Sequence, residues 1–348
     1  NWNYTDTNAT PPTTTSTIVP GALDTLKIPV TANKPEITTS VTVGDIEFLP
    51  GAVLKISGAS GSLTVSQNFA LENIDTTSNG TIVVPSGITL SSSSSFQAEN
   101  LSLTISGTNT PATVKAASLS IGTITATTNN TQNLILESTA TNGTISTGTI
   151  GTAITKFDSV TYKSSGDITY TSSDNIQVNS SSLKFISIAP SPLGNIGISG
   201  LSYTGDLELQ GQSLSLDTLT LSGELTLNQA VNKLVSLIDI SAGAVHFSTS
   251  NKPLSINLKG NIIINGNGDF ITPTYPTPSD AAVITLTGET VIDTTSSSSN
   301  GDITLYDNLT GTQDLTIKNK GVFTLADVSS VNDITSSFAQ VKKFSQEG

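Results

Sequence analysis

Short stretches of this chain alternate apolar and hydroxyl residues with a period of two. In Leu101-Ser102-Leu103-Thr104-Ile105 the apolar side chains fall on one face and the hydroxyls on the other. Leu214-Ser215-Leu216, Leu219-Thr220-Leu221 and Leu225-Thr226-Leu227 repeat the pattern. These are half-buried strands of four to five residues. Many begin alike: Gly, a small or acidic residue, then Ile or Leu. The motif stands at Gly44, Gly80, Gly122, Gly143, Gly166, Gly205, Gly223 and Gly301. The gaps are 36, 42, 21, 23, 39, 18 and 78 residues, and 13 units of about 20 residues fill the 257 that they span.

A period near 20 with several short strands predicts an all-β chain folded as a parallel, right-handed β-solenoid, or β-helix. Three strands per coil and coils stacked at about 4.8 Å give some 17 coils and a rod of roughly 80 Å. A rival is an antiparallel sandwich or a row of Ig-like domains. Against it, Asn-Gly hairpin signals are few, and three of them (Asn79-Gly80, Asn142-Gly143, Asn300-Gly301) merely precede repeat strands.

Residues 1–20 are rich in Thr and Pro and read as an extended arm, residues 21–331 as the solenoid, and 332–348 as a capping helix and tail. In that helix Ile334, Phe338 and Val341 share a face, with Asp333 at the start and Lys342 and Lys343 near the end of the Asn332–Phe344 span. Leu227, Val231, Leu234 and Ile238 also fit a short helix. The Pro-rich segments at 189–192 and 272–278 predict projecting loops.

Composition narrows the chemistry. Of 348 residues, 49 are Ser and 55 Thr, against 14 Lys+Arg (all Lys) and 27 Asp+Glu, a net charge of −13. With no Cys there is no disulfide, thiolate nucleophile or thiolate metal site. An acidic chain without Arg is a poor partner for nucleic acid. No apolar run approaches the roughly 20 residues that cross a bilayer as a helix. The hydroxyl-rich, acidic composition is that of an extracellular or cell-surface protein. With no Met in the chain and no basic and apolar leader at Asn1, a processed protein or an internal fragment is expected.

Residues 283–328, from Val283-Ile284-Thr285-Leu286-Thr287-Gly288 through Gly301-Asp302-Ile303-Thr304-Leu305 to Gly321-Val322-Phe323-Thr324-Leu325, resemble the degenerate coils of filamentous-haemagglutinin-type exoproteins. These include surface adhesins and autotransporter passengers. The resemblance implies a stalk or adhesive surface that meets a host or neighbouring cell through glycan or protein. A second reading is a filament or coat subunit that polymerises with itself by strand addition through the arm, where Trp2 and Tyr4 are the candidate assembly residues.

The enzymatic alternative is a carbohydrate-active β-helix. Similarity to uronate-eliminating enzymes would call for a basic residue beside paired acids, and no lysine is so placed. Hydrolysis needs two carboxylates about 5 to 9.5 Å apart. Asp158, Asp167 and Asp174, or Asp206 and Glu208, are the pairs to examine, although strand-start turns account for them more simply. The single histidine, His246, lies between Val245 and Phe247 and is expected on the outer surface. Asn265-Gly266-Asn267-Gly268-Asp269 has oxygen ligands suited to Ca²⁺ but lacks the spacing of a calcium loop, and reads as a turn. Eight Asn-x-Ser/Thr sites, at Asn3, Asn8, Asn79, Asn100, Asn129, Asn142, Asn179 and Asn308, are what so many hydroxyls give by chance. No cofactor or metal is expected. The 271–282 loop is the best contact candidate, through Thr274, Tyr275 and Thr277, although a tolerated insertion is the plainer reading.

Overall fold

The computed structural model describes residues 4–6, 13–15, 21–28, 30, 35–58, 60–108, 110–170, 178–188, 193–229, 234–247, 255–273, 283–306, 308–325 and 343–347. For 4–6, 13–15, 69, 229, 308 and 343–347 only the backbone is described. The described residues are almost wholly β, with one short 3-10 turn at Leu71–Asn73. Strands stack in parallel as a β-solenoid of about 12 coils with about 22 residues each. The coils are fewer and longer than the 17 of about 20 residues expected. The chain divides into two compact units, 1–163 with 176–181, and 164–175 with 182–348.

In the first unit three faces recur around each coil. One ladder runs through Ser40–Val43, Ser62–Val65, Thr81–Pro85, Ser102–Ser106 and Ile124–Ala126. A second includes Thr89–Ser91, Ala112–Ala116 and Asn133–Ser138, and a third Phe96–Ala98, Leu119–Ile121 and Ile145–Thr147. Alternation points every second side chain inward. Leu63, Ile82, Leu103 and Ile124 therefore stack directly upon one another and are fully buried.

The second unit has two main ladders. One joins Asp206–Gly211, Glu224–Gln229, Ala244–Phe247, Phe270–Ile271, Ile303–Leu305 and Phe323–Leu325. Its core column is Leu207, Leu225, Val245, Phe270 and Ile303. The other contains the long strands Leu214–Leu221, Leu234–Ala242, Ser255–Ile264 and Val283–Asp293, followed by Asp314–Lys318 and Lys343–Glu347. The first three long strands turn a corner without breaking. Thr218, Asp239 and Gly260 occupy the left-handed region there, with φ of 54°, 50° and 70°. The residues just before the corner are in register, Asp217 beside Ile238 beside Lys259, and past it the register of the second and third strands shifts by one, Ile240 pairing with Ile262.

The Gly of the repeat is explained at another corner of this unit. The Gly223 N–H donates to Gly205 O (3.2 Å), Gly243 N to Gly223 O (2.8 Å), and Gly266 N to Gly243 O (3.1 Å). Backbones touch so closely that a Cβ on Gly223 would meet Gly205 O at 2.5 Å. Glycine is required by close approach.

Three expectations change. Leu227 lies in the strand Glu224–Gln229, and Leu234 and Ile238 in Leu234–Ala242, so the helical spacing there is a coincidence of strand positions. Val231 falls outside the described residues. Lys343 and Phe344 belong to a strand, Lys343–Glu347, paired in parallel with Asp314–Lys318, rather than to the end of a helix. The rest of that span, 332–342, lies outside the described residues. In the arm, Tyr4–Asp6 and Thr13–Thr15 form an antiparallel hairpin, Tyr4 opposite Thr15, so this part of the arm is doubled back.

Candidate functional site

Acids at the second position of the repeat strand sit at coil corners, where one strand's first N–H needs an acceptor. Asp45 Oδ1 accepts from its own neighbour, Ile46 N (2.8 Å), but other acids reach across to the next coil. Asp167 Oδ1 accepts from Asn195 N (2.7 Å) and Asp206 Oδ1 from Glu224 N (2.9 Å). Asp269 Oδ1 accepts from Asp302 N (2.8 Å), and Asp302 Oδ1 in turn from Val322 N (2.7 Å). Glu208 forms a salt bridge with Lys184 at 2.7 Å. Asp206 and Glu208 are thus occupied in holding coils together. Asp158, in the first unit, lies exposed on the strand Phe157–Ser164, while Asp167, in the second, immediately precedes the strand Ile168–Tyr170. Asp174 lies outside the described residues.

His246 is exposed as expected, with Val245 buried and Phe247 half-buried. It has a partner that sequence spacing does not show, Glu224 of the adjacent coil, at 3.4 Å from Nε2 to Oε2. The Asn265–Asp269 segment is a turn: Asn265 Nδ2 donates to Ser241 Oγ (3.1 Å), and Asp269 is taken by Asp302 N. Among the described residues, no group of three or more His, Asp or Glu is placed to hold a metal ion.

In the second unit, the Ser296–Ser299 run folds back on this turn. Ser298 N donates to Gly266 O (2.7 Å), and Ser297 Oγ donates to Gly266 O and Gly268 O (both 3.1 Å). The next coil adds Lys320, whose Nζ donates to Ser297 O (2.9 Å). Together they frame a shallow, open depression of about 500 Å³ lined by Ser298, Ser299, Asn300, Asp302, Lys320 and Val322. Hydroxyls, an amide, a carboxylate, an ammonium group and an exposed valine side chain meet here. The arrangement can display hydrogen-bonding groups to a partner.

No family model, curated protein or solved structure matches the chain. What the chain is rests on its own geometry.

The candidate contact residues Thr274, Tyr275 and Thr277 lie outside the described residues, as does Trp2. The loop's base is described. Thr272 is fully buried, its N–H donating to Thr304 O (3.0 Å) and its Oγ1 accepting from Tyr306 N (2.9 Å). Tyr4 lies in the arm's hairpin.

Two carboxyls in the first unit are held below the ordinary glutamate range. Glu36 is lowered by the hydroxyl of Ser57, which donates to Oε1, and by Lys55 at 3.1 Å. For Glu72 burial pushes upward, but hydrogen bonds together outweigh it, from Ser93 through its backbone N (2.6 Å) and its hydroxyl (2.9 Å), from the backbone of Glu72 itself and from Ser92. Both pairs again join successive coils.

Proposed function

We propose that the chain is a non-enzymatic, extracellular β-solenoid that acts as a stalk or adhesive surface. The observation that carries this reading is where the ionisable groups go. Asp167, Asp206, Asp269 and Asp302 each accept a backbone N–H from the next coil. Their chemistry is structural, and what remains outward is a skin of Ser and Thr with a few shallow features. Such a surface suits weak contacts repeated along a scaffold, which gain strength by multivalency. The resemblance of 283–328 to exoprotein coils points the same way. The test is binding of the whole chain to glycan arrays and to cells, with polysaccharide hydrolysis assayed in parallel. Binding without turnover is expected. Release of reducing ends or unsaturated uronates would overturn the reading.

Self-assembly is the second reading, favoured by the first rung. Among the described residues Thr25–Ile28 pairs only with Asp45–Phe48. An open parallel edge invites strand addition. Near the first rung Leu23 and Val30 are 95% and 60% exposed. Negative-stain microscopy of the chain with and without residues 1–20 tests it. Ordered polymers that vanish on deletion are expected if the arm joins subunits, and unchanged assembly rejects the arm.

A further inference from the structure

The chain contains five Asn-Gly pairs, at Asn79, Asn142, Asn265, Asn267 and Asn300. Such pairs are the weak points of a polypeptide, because glycine lets its own nitrogen swing onto the preceding side-chain amide. In four of them the fold ties that nitrogen down. Gly80 N donates to Ile56 O (3.0 Å), Gly143 N to Ala140 O (3.0 Å), Gly266 N to Gly243 O (3.1 Å) and Gly268 N to Gly243 O (3.3 Å). Three of the asparagine side chains are engaged too. Asn79 Oδ1 accepts from Gly58 N (3.0 Å), Asn265 Nδ2 donates to Ser241 Oγ (3.1 Å), and Asn267 Oδ1 accepts from the Ser298 hydroxyl.

Asn300-Gly301 differs in both respects. Among the described residues the Gly301 N–H has no acceptor, and the exposed Asn300 side chain has no hydrogen-bond partner. Asn300 also lines the open depression, where water is at hand. Gly301 is held by its carbonyl instead, which accepts from Thr294 Oγ1 (2.6 Å) and Gly321 N (3.4 Å). An attacking atom outside the hydrogen-bond ladder has one bond fewer to break before it can reach its target.

We propose that Asn300-Gly301 is a site of spontaneous modification, at which the native fold itself selects one of five chemically equal pairs. The Gly301 nitrogen loses its proton and bonds to Asn300 Cγ. The bond from Cγ to the side-chain nitrogen breaks, and ammonia leaves. Water then opens the five-membered imide at either carbonyl, leaving aspartate or isoaspartate. No oxidant or reductant takes part. The product puts a new negative charge beside Asp302 and Lys320. In its iso form it adds a methylene to the main chain at a corner held by Thr294 and Gly321. The last coils of the second unit thereby acquire an age-dependent change of charge and packing.

The whole chain is incubated at mildly alkaline pH, and peptides are mapped over time by mass spectrometry with isoaspartate detection. Product at residue 300 is expected to form at least about fivefold faster than at 79, 142, 265 or 267. In concentrated urea the five rates should converge. Asn300→Ser should abolish that product while leaving the circular dichroism unchanged. A smaller native ratio, a faster site elsewhere, a ratio that persists in urea, or product still found in the 300 peptide of Asn300→Ser overturns the proposal.

Discussion

Thr218 holds a β-branched side chain at φ 54°, a conformation that costs an L-residue roughly 1–2 kcal/mol. The corner imposes it, since the next two coils turn at the same place through Asp239 and Gly260. Gly260 meets the requirement best, and a Cβ there would lie 2.1 Å from Asp239 Oδ1. Among the described residues Thr218 has only a local side-chain bond, to Asp217 Oδ1 at 2.9 Å. Thr218→Gly should therefore stabilise the chain by about 0.5–1 kcal/mol, after glycine's greater loss of entropy on folding. An upward shift in the urea midpoint checks this. The hydroxyls tell a similar residue-scale story. Many are the outward half of alternating strands, as composition suggests. Others are buried at corners: Ser78 Oγ accepts from Ile56 N (3.1 Å), and Ser187 Oγ from Gly194 N (2.7 Å). Alternation does not mark Ser78, which lies outside any strand, whereas Ser187 keeps the inward phase of Leu183 and Phe185.

At the scale of strands, the Gly-x-Ile pattern marks strand starts well but does not say on which face a strand lies. Gly80 and Gly122 are two whole coils apart, since Ile82 pairs with Leu103 and Leu103 with Ile124. Gly205 and Gly223 are one coil apart, through Leu207 and Leu225. Yet Ile145, 21 residues beyond Ile124, pairs with Leu119 on another ladder. Faces of one coil share the same start signal, so spacing alone confuses them. From Gly223 to Gly301 there are three coils rather than four, through Val245, Phe270 and Ile303. The last of these steps spans the 274–282 insertion. The inter-coil carboxylates were legible only as turn formers, because their acceptor role depends on this register. One inter-coil carboxylate, Glu72, carries a pH dependence. Glu72, lowered from 4.5, stabilises the fold fully above that value, and the contribution is lost as pH falls through and below it. Urea midpoints of the wild type and Glu72→Gln should therefore converge as pH drops from 6 to 3, the variant having the weaker dependence. Parallel curves would show that the Ser93 contact contributes nothing.

For the whole molecule, what matters is that each coil rests on its neighbours. In the second unit Phe270 is fully buried between Val245 and Ile303, and meets Phe247 edge-on with ring centroids 6.4 Å apart. Phe270→Ala removes a large side chain whose surroundings are ladders of hydrogen-bonded backbone with little freedom to collapse. The expected cost is about 3–5 kcal/mol. In a fold held by nearest-neighbour contacts this loss should not spread evenly. Hydrogen exchange measured peptide by peptide should accelerate most at Ala244–Phe247 and Ile303–Leu305, the rungs on either side. Leu207–Leu209, three rungs before Phe270 on the same ladder, should keep more of their protection. Equal acceleration at both places would mean that the second unit unfolds as one cooperative block, in which a single corner or a single aged Asn300 would weaken every coil alike. A gradient means that damage stays near its source, as a scaffold bearing repeated weak contacts requires.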